Sequence, residues 1–180
     1  MHIAGILSIC LWPELIRLRL IMWLNATDFR QVIHCAPLVS IDLVVLNECN
    51  EVLLGKRVNR PAMGFWFVPG GRIQKNETLD QAFRRLTNEE LGMDLGIDDA
   101  KPLGTYEHFY ADSVFGEADS GPNTHYVVLA HHLPTLSISD MVLPLTQHSH
   151  YQWWPLDKAL HSSEVHPNTK AYLPDLLRNF

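Results

Sequence analysis

Four charged side chains on one predicted helix are the groups in this chain best spaced for chemistry. The segment Gly71–Met93 (GRIQKNETLDQAFRRLTNEELGM) opens on a glycine turn and carries Glu77 near its start, then Arg85, Glu89 and Glu90. Adjacent carboxylates late in a helix suit a hard cation such as Mg2+, which takes oxygen ligands and keeps several waters. Arg85 stands four residues before Glu89, so it can pair with that carboxylate or hold a phosphate. Helix charges more often form a solvated face. Here a glycine turn, a carboxylate pair and an arginine accompany one apolar-backed helix, which lowers the weight of that plainer meaning. Glu77 is read as a helix-capping charge rather than a metal ligand, and Glu89 as a partner of Arg85.

The helix itself is well marked. Thr78 with Gln81 makes a capping box, Leu79, Ala82, Phe83 and Leu86 form an apolar stripe, and Gly92 is placed to end it. Upstream, Leu38–Leu46 reads as a buried strand with Asp42 inside it, Asn47–Asn50 as a turn, and Glu51–Arg57 as the hairpin partner. After a loop over Val58–Met63, Gly64–Val68 reads as a short aromatic strand ended by a turn at Pro69-Gly70-Gly71. Downstream, Lys101–Tyr110 and Thr124–Leu133 read as strands around a polar loop, and Tyr151–Pro155 as a brief strand. Leu156–His161 and Asn168–Arg178 read as helices. Strands on either side of one helix, with more helix at the end, predict an α/β/α sandwich with a mixed β-sheet.

The carboxylate segment resembles the Nudix box, G-x5-E-x7-R-E-U-x-E-E-x-G-U with U aliphatic. Gly71, Glu77, Arg85, Glu89, Glu90, Gly92 and Met93 match it, while Leu86 replaces a Glu and Thr87 an aliphatic residue. Positions 86 and 90 share a helix face, so Leu86 removes one metal ligand and, with it, the expectation of a multi-metal site. PLVSIDLVV, LLGKRVNRPAMGFWFVPGGRIQKNETLDQAFRRLT, EHFY, THYVVL and TQHSHYQWW further resemble the GDP-mannose mannosyl hydrolase subfamily, which shares the missing Glu. The likeness runs roughly from Met22 to the C-terminal helix. It implies hydrolysis of GDP-mannose, or GDP-glucose, by water attack at the anomeric carbon with inversion. Alternatives are cleavage at a diphosphate phosphorus and a non-catalytic nucleotide-binding module.

The resemblance also implies roles. One Mg2+ ion, with Mn2+ as a substitute, would be held by Glu90, the Gly70 carbonyl and the Gln147 side chain. Arg57, Arg72 and Arg85 suit the leaving diphosphate or the metal frame, since guanidinium forks match phosphate oxygens. Tyr126 would hydrogen-bond the leaving group. His148 would be the general base, as an imidazole titrates near neutral pH. Asp42 and His108 would contact or orient the sugar, a buried strand Asp needing some partner in any case. His125 is either a neighbour of the site or a plain strand residue, and Trp66, Phe67, Trp153 and Trp154 are chiefly core. The subfamily implies a homodimer using the N-terminal segment.

Size and charge set the outer bounds. The 180 residues, 47% hydrophobic and 19% charged, fit one globular domain, taken as residues 22–180. Formal net charge is -6, so there is no basic field for a nucleic-acid backbone. Cys10, Cys35 and Cys49 form no close pair, which argues against a disulfide framework or a zinc site and fits a reducing cytoplasm. The apolar run Ala4–Trp12 lacks a preceding basic residue and is too short for a membrane span. Residues 1–21 therefore read as an N-terminal extension, with Met22 an alternative start.

Overall fold

The computed structural model describes residues 24–178; the apolar run Ala4–Trp12, Cys10 and Met22 lie outside them. In chain order the elements are α1 (Ala26–Cys35), β1 (Leu38–Val44), β2 (Glu51–Arg57), β3 (Trp66–Phe67), β4 (Gly70–Arg72), α2 (Leu79–Leu91), β5 (Lys101–Tyr110), β6 (Thr124–His132), β7 (His148–Pro155), α3 (Leu156–His161), α4 (Pro167–Lys170) and α5 (Leu173–Leu177). β1 lies at the centre of the first sheet, parallel to β6 and antiparallel to β4, in the order β4-β1-β6-β5. β2 lies at the centre of a second, antiparallel sheet in the order β3-β2-β7.

β1 is covered on both faces, one of them carrying the buried polar residues Ser40 and Asp42. Ile41 and Leu43 pack with Ala82, Phe83, Leu86 and Leu91 of α2, whereas Val44 packs with Leu156 of α3 and Leu173 and Leu176 of α5. This is the mixed-sheet α/β/α sandwich expected from the element order. Full burial of one such side chain contributes roughly 1.5–3 kcal/mol, so the α2 stripe alone anchors that helix. Its ends follow the sequence signals. Thr78 accepts from the Gln81 backbone N–H in a capping box, and Gly92 closes the helix at φ 69°, a left-handed conformation that favours glycine.

Several expectations are corrected. The hairpin expected of β1 and β2 forms only at its root, where Asn47 N–H donates to the Glu51 carbonyl, Leu53 N–H to the Val45 carbonyl, and Leu46 bridges Val52. Beyond it the strands part into different sheets, because β1 is flanked by β4 and β6 and β2 by β3 and β7. Gly70 and Gly71 do not merely turn the chain but belong to β4, paired with Asp42 and Ile41. The helix expected over Asn168–Arg178 is two short helices, since Pro174 lacks the N–H that a continuous helix would need. β7 begins at His148, before the expected Tyr151, and α1 has no counterpart in the sequence reading.

Candidate active site

α2 meets β4 through Arg85 and Leu86. Arg85 grips Glu77 with two donors, Nε to Oε1 at 2.7 Å and Nη2 to Oε2 at 2.8 Å. It also donates to Glu89 Oε2 at 2.9 Å and to the Arg72 carbonyl at 2.9 Å. Of its two possible uses, pairing with Glu89 is the one the structure adopts. Glu77 accepts from the Gln74 backbone N–H as well, so it serves as the Arg85 clamp rather than as the helix-capping charge expected, while Thr78 caps the helix as its capping box predicts. Leu86 is 2% exposed, and a Cβ on Gly71 would lie 2.6 Å from its Cδ2. The residue standing where the box has Glu is thus core packing, seated on β4.

One turn later Glu90 is 3% exposed. Burial, with the like charge of Glu89, pushes its carboxyl up to about 7 despite Arg57. Gln147 Nε2 donates to Glu90 Oε1 at 2.6 Å, while Glu90 Oε2 is buried without a partner among the described residues. Two of the three predicted metal ligands are therefore in contact, and the third, Gly70, is the neighbour in β4 of Gly71, on which Leu86 of this helix is seated. An unspent buried carboxylate oxygen, an amide and a backbone carbonyl fit one hard, partly hydrated cation. Among the described residues no group of three or more His, Cys, Asp and Glu is placed to hold a metal.

Two arginines face the site without acidic partners. Arg57 gives Nε to the Pro61 carbonyl at 2.9 Å and makes no ion pair among the described residues, and its charge acts on Asp42, Glu90, Tyr126 and His148. Arg72 lies 4.0 Å from the Phe29 ring centroid, and burial lowers its pKa, with Arg85 adding repulsion. Unpaired, half-buried guanidinium groups invite an anion. Tyr126 feels both charges: burial raises its phenol, and Arg72 and then Arg57 partly offset the rise.

His148 is 1% exposed and lies against Gly55, where a Cβ would come within 2.5 Å of the imidazole. Tyr151 orients it. The Tyr151 hydroxyl donates to the Pro144 carbonyl at 2.9 Å, so at 3.1 Å it accepts from His148 Nδ1. That leaves Nε2 as the bare nitrogen, buried without a partner among the described residues. Burial and the Arg57 charge lower the imidazole to about 4, so it is neutral through the neutral range.

The third group is deeper. Asp42, buried and raised to about 7 chiefly by desolvation, accepts from Tyr172 at 2.7 Å. Tyr172 in turn meets His108 Nε2 at 2.9 Å. Burial lowers His108 to about 4, with His166 contributing. Sequence reasoning missed both Tyr172 and Tyr151; for Tyr172 the demand of a strand Asp for a partner was the available signal. His125 stacks on Phe109 at 4.3 Å between ring centroids, a strand residue on the outer part of β5 and β6. Trp66 and Phe67 are buried in the core, with Trp153 and Trp154 packed against it.

The NUDIX domain model matches residues 36–176. The chain is 45% identical over 122 residues to the low-salt glycan biosynthesis protein Agl8 of Haloferax volcanii, covering 68% of this chain and 73% of that protein. Its fold is similar to the MutT protein of Methanosarcina mazei (TM-score 0.63, 20% identity, 79% of this chain and 95% of that one). It is also similar to a MutT NUDIX hydrolase of Burkholderia pseudomallei (TM-score 0.60, 25% identity, 77% and 97%). With the box helix, its glycine strand and the buried Glu90 in these positions, the chain belongs to the NUDIX family of hydrolases.

Proposed function

We propose that this enzyme hydrolyses a nucleotide sugar, GDP-mannose or the closely related GDP-glucose, to GDP and the free sugar by inverting attack of water at the anomeric carbon. The observation that carries this reading is the burial of Leu86 against Gly71, which leaves Glu90 as the one carboxylate turned into the metal end of the site. Chemistry at phosphorus in this family's manner draws on several carboxylates; departure of a diphosphate from a sugar carbon needs charge neutralisation of the leaving group and a base for water. The name of the 45% identical relative, a glycan biosynthesis protein, supports a sugar-bearing substrate.

Glu90, Gln147 and the Gly70 carbonyl would hold the divalent ion, taken as one Mg2+, with Mn2+ able to replace it. When bound, such an ion adds positive charge beside the leaving diphosphate. Arg57 and Arg72 take the diphosphate oxygens, and Tyr126 donates to the oxygen that leaves. His148 Nε2 accepts the proton as the water oxygen bonds to the anomeric carbon and the carbon–oxygen bond to GDP breaks. An anion bound at Arg57 offsets one of the two causes that depress this imidazole, which strengthens the base when substrate is present. In the present conformation Nε2 is closed to solvent, a state that suits a base used only with substrate bound. Asp42 and His108 contact the sugar. The same reading includes a homodimer through the N-terminal segment, which light scattering on the purified chain checks.

Hydrolysis of GDP-mannose with Mg2+ in 18O-water tests the reaction. Label is expected in mannose, released first as the β anomer, and His148→Ala is expected to abolish turnover while GDP still binds. Label in a nucleotide phosphate instead assigns the enzyme to phosphorus attack and overturns the proposal.

A further inference from the structure

We propose that Tyr172 is a positioning residue that fixes His108 and Asp42 as a pair of hydrogen-bond acceptors for two hydroxyl groups of the sugar. The inference rests on the nucleotide-sugar reading and extends it to a residue far along the chain. Tyr172 is fully buried, and its hydroxyl has two polar neighbours, Asp42 Oδ2 at 2.7 Å and His108 Nε2 at 2.9 Å. A phenol has one proton to give. Directed to the carboxylate along the shorter contact, it leaves the phenol oxygen as an acceptor, and only an Nε2–H tautomer of His108 can satisfy it. The neutral imidazole then carries its lone pair on Nδ1.

The consequence falls on the atoms turned away from Tyr172. Asp42 Oδ1 and His108 Nδ1 make no hydrogen bond to the described residues, and with Asp42 ionised both are acceptors. Gly70 leaves room beside the first: a Cβ there would lie 3.0 Å from Asp42 Oδ1. His108 is the cross-strand partner of Tyr126, so the acceptor pair adjoins the residue proposed to meet the leaving group. Two fixed acceptors select a group rich in donors, and sugar hydroxyls are donors where phosphate oxygens and carbonyls are not. The Tyr172 ring is itself held, edge to face with Tyr106 at 4.7 Å between centroids.

The test uses the full chain. Long-range 15N correlation spectra of histidine-labelled protein should show His108 neutral, with Nε2 protonated and Nδ1 bare. Tyr172→Phe should lose that fixed tautomer. Kinetics on GDP-mannose and its mono-deoxymannose analogues supply the second readout. For at least one position the wild type should lose about ten- to hundred-fold in kcat/KM when the hydroxyl is removed, the value of a hydrogen bond to a charged or well-held group. Tyr172→Phe should lose markedly less on the same analogue. Equal discrimination by both proteins, or an Nδ1–H tautomer in the wild type, overturns the proposal. If Tyr172→Phe does not fold, the wild-type tautomer decides. A wild type that leaves GDP-mannose intact overturns the functional reading, and the His108 tautomer then judges the positioning role separately.

Discussion

Replacing Leu86 by Glu restores the carboxylate that the box ordinarily has, and the structure says what that costs. Leu86 is 2% exposed between α2 and Gly71. Leu86→Glu and Leu86→Gln both forfeit about 1.5–3 kcal/mol of apolar burial. Only the Glu must also shed its charge, and it does so by taking up a proton. For a group with an ordinary pKa of about 4.3, protonation costs roughly 1 kcal/mol at pH 5 and roughly 3.7 kcal/mol at pH 7. The folded state of Leu86→Glu then holds more protons than the unfolded chain, so its stability falls as pH rises. The gap between the two variants should therefore widen by about 2.7 kcal/mol from pH 5 to pH 7. Urea unfolding followed by circular dichroism, with EDTA present, measures it, and Glu90 is common to both proteins. A gap that stays flat with pH would refute the reasoning, because position 86 would then be open to water.

The wild type carries a milder version of the same effect: Glu90 and Asp42, both raised to about 7, bind protons in the fold that the unfolded chain releases, so metal-free stability should fall between pH 4.5 and 7 by roughly 1 kcal/mol per unit for each. Glu90→Gln should flatten that slope in urea titrations, and Mg2+ should raise the wild-type Tm more at pH 8 than at pH 5. Glu77→Gln, which breaks a pair whose side chains are 8% and 16% exposed, should cost about 3 kcal/mol, and Asp80→Asn on the exposed Arg84 pair far less. Gly70→Ala and Gly71→Ala should differ. The first drives a Cβ to 2.5 Å from the Ile41 carbonyl and should cost about 1–3 kcal/mol with most of the activity, whereas the second meets only the movable Leu86 side chain and should be milder by both measures.

Much of the frame was legible because its signals are local. The capping box and Gly92 bound α2, and β2 and β5 span the ranges their apolar and β-branched residues mark. α1 was not legible. Its sequence ATDFRQVIHC has one buried residue, Ile33, and Phe29 is used on Arg72 and Phe115, contacts far along the chain. The parting of β1 from β2 was hidden for the same reason, since strand partners β6 and β7 come much later. Tyr172 lies 130 residues from Asp42, and neither helix spacing nor strand alternation connects them. Tyr151 orients His148 through a proton given to Pro144, a relation no pattern of residue types encodes.

The three arginines show where sequence reasoning about charge stops. In the sequence Arg57, Arg72 and Arg85 are equivalent candidates for a diphosphate, and their separation comes entirely from acidic partners. Arg85 spends Nε, Nη1 and Nη2 on Glu77, Glu89 and the Arg72 carbonyl, so it contributes rigidity and a fixed β4. Arg72 has the Phe29 ring beside its guanidinium, and Arg57 has the Pro61 carbonyl and the Phe67 ring at 5.7 Å, so neither is paired with a carboxylate among the described residues. An unpaired cation in a half-buried site costs free energy until an anion arrives, and that cost is returned on binding. On the proposed function, anion affinity therefore rests on Arg57 and Arg72. Arg85 is needed for the geometry that lets β4 present Gly70 and Arg72 together.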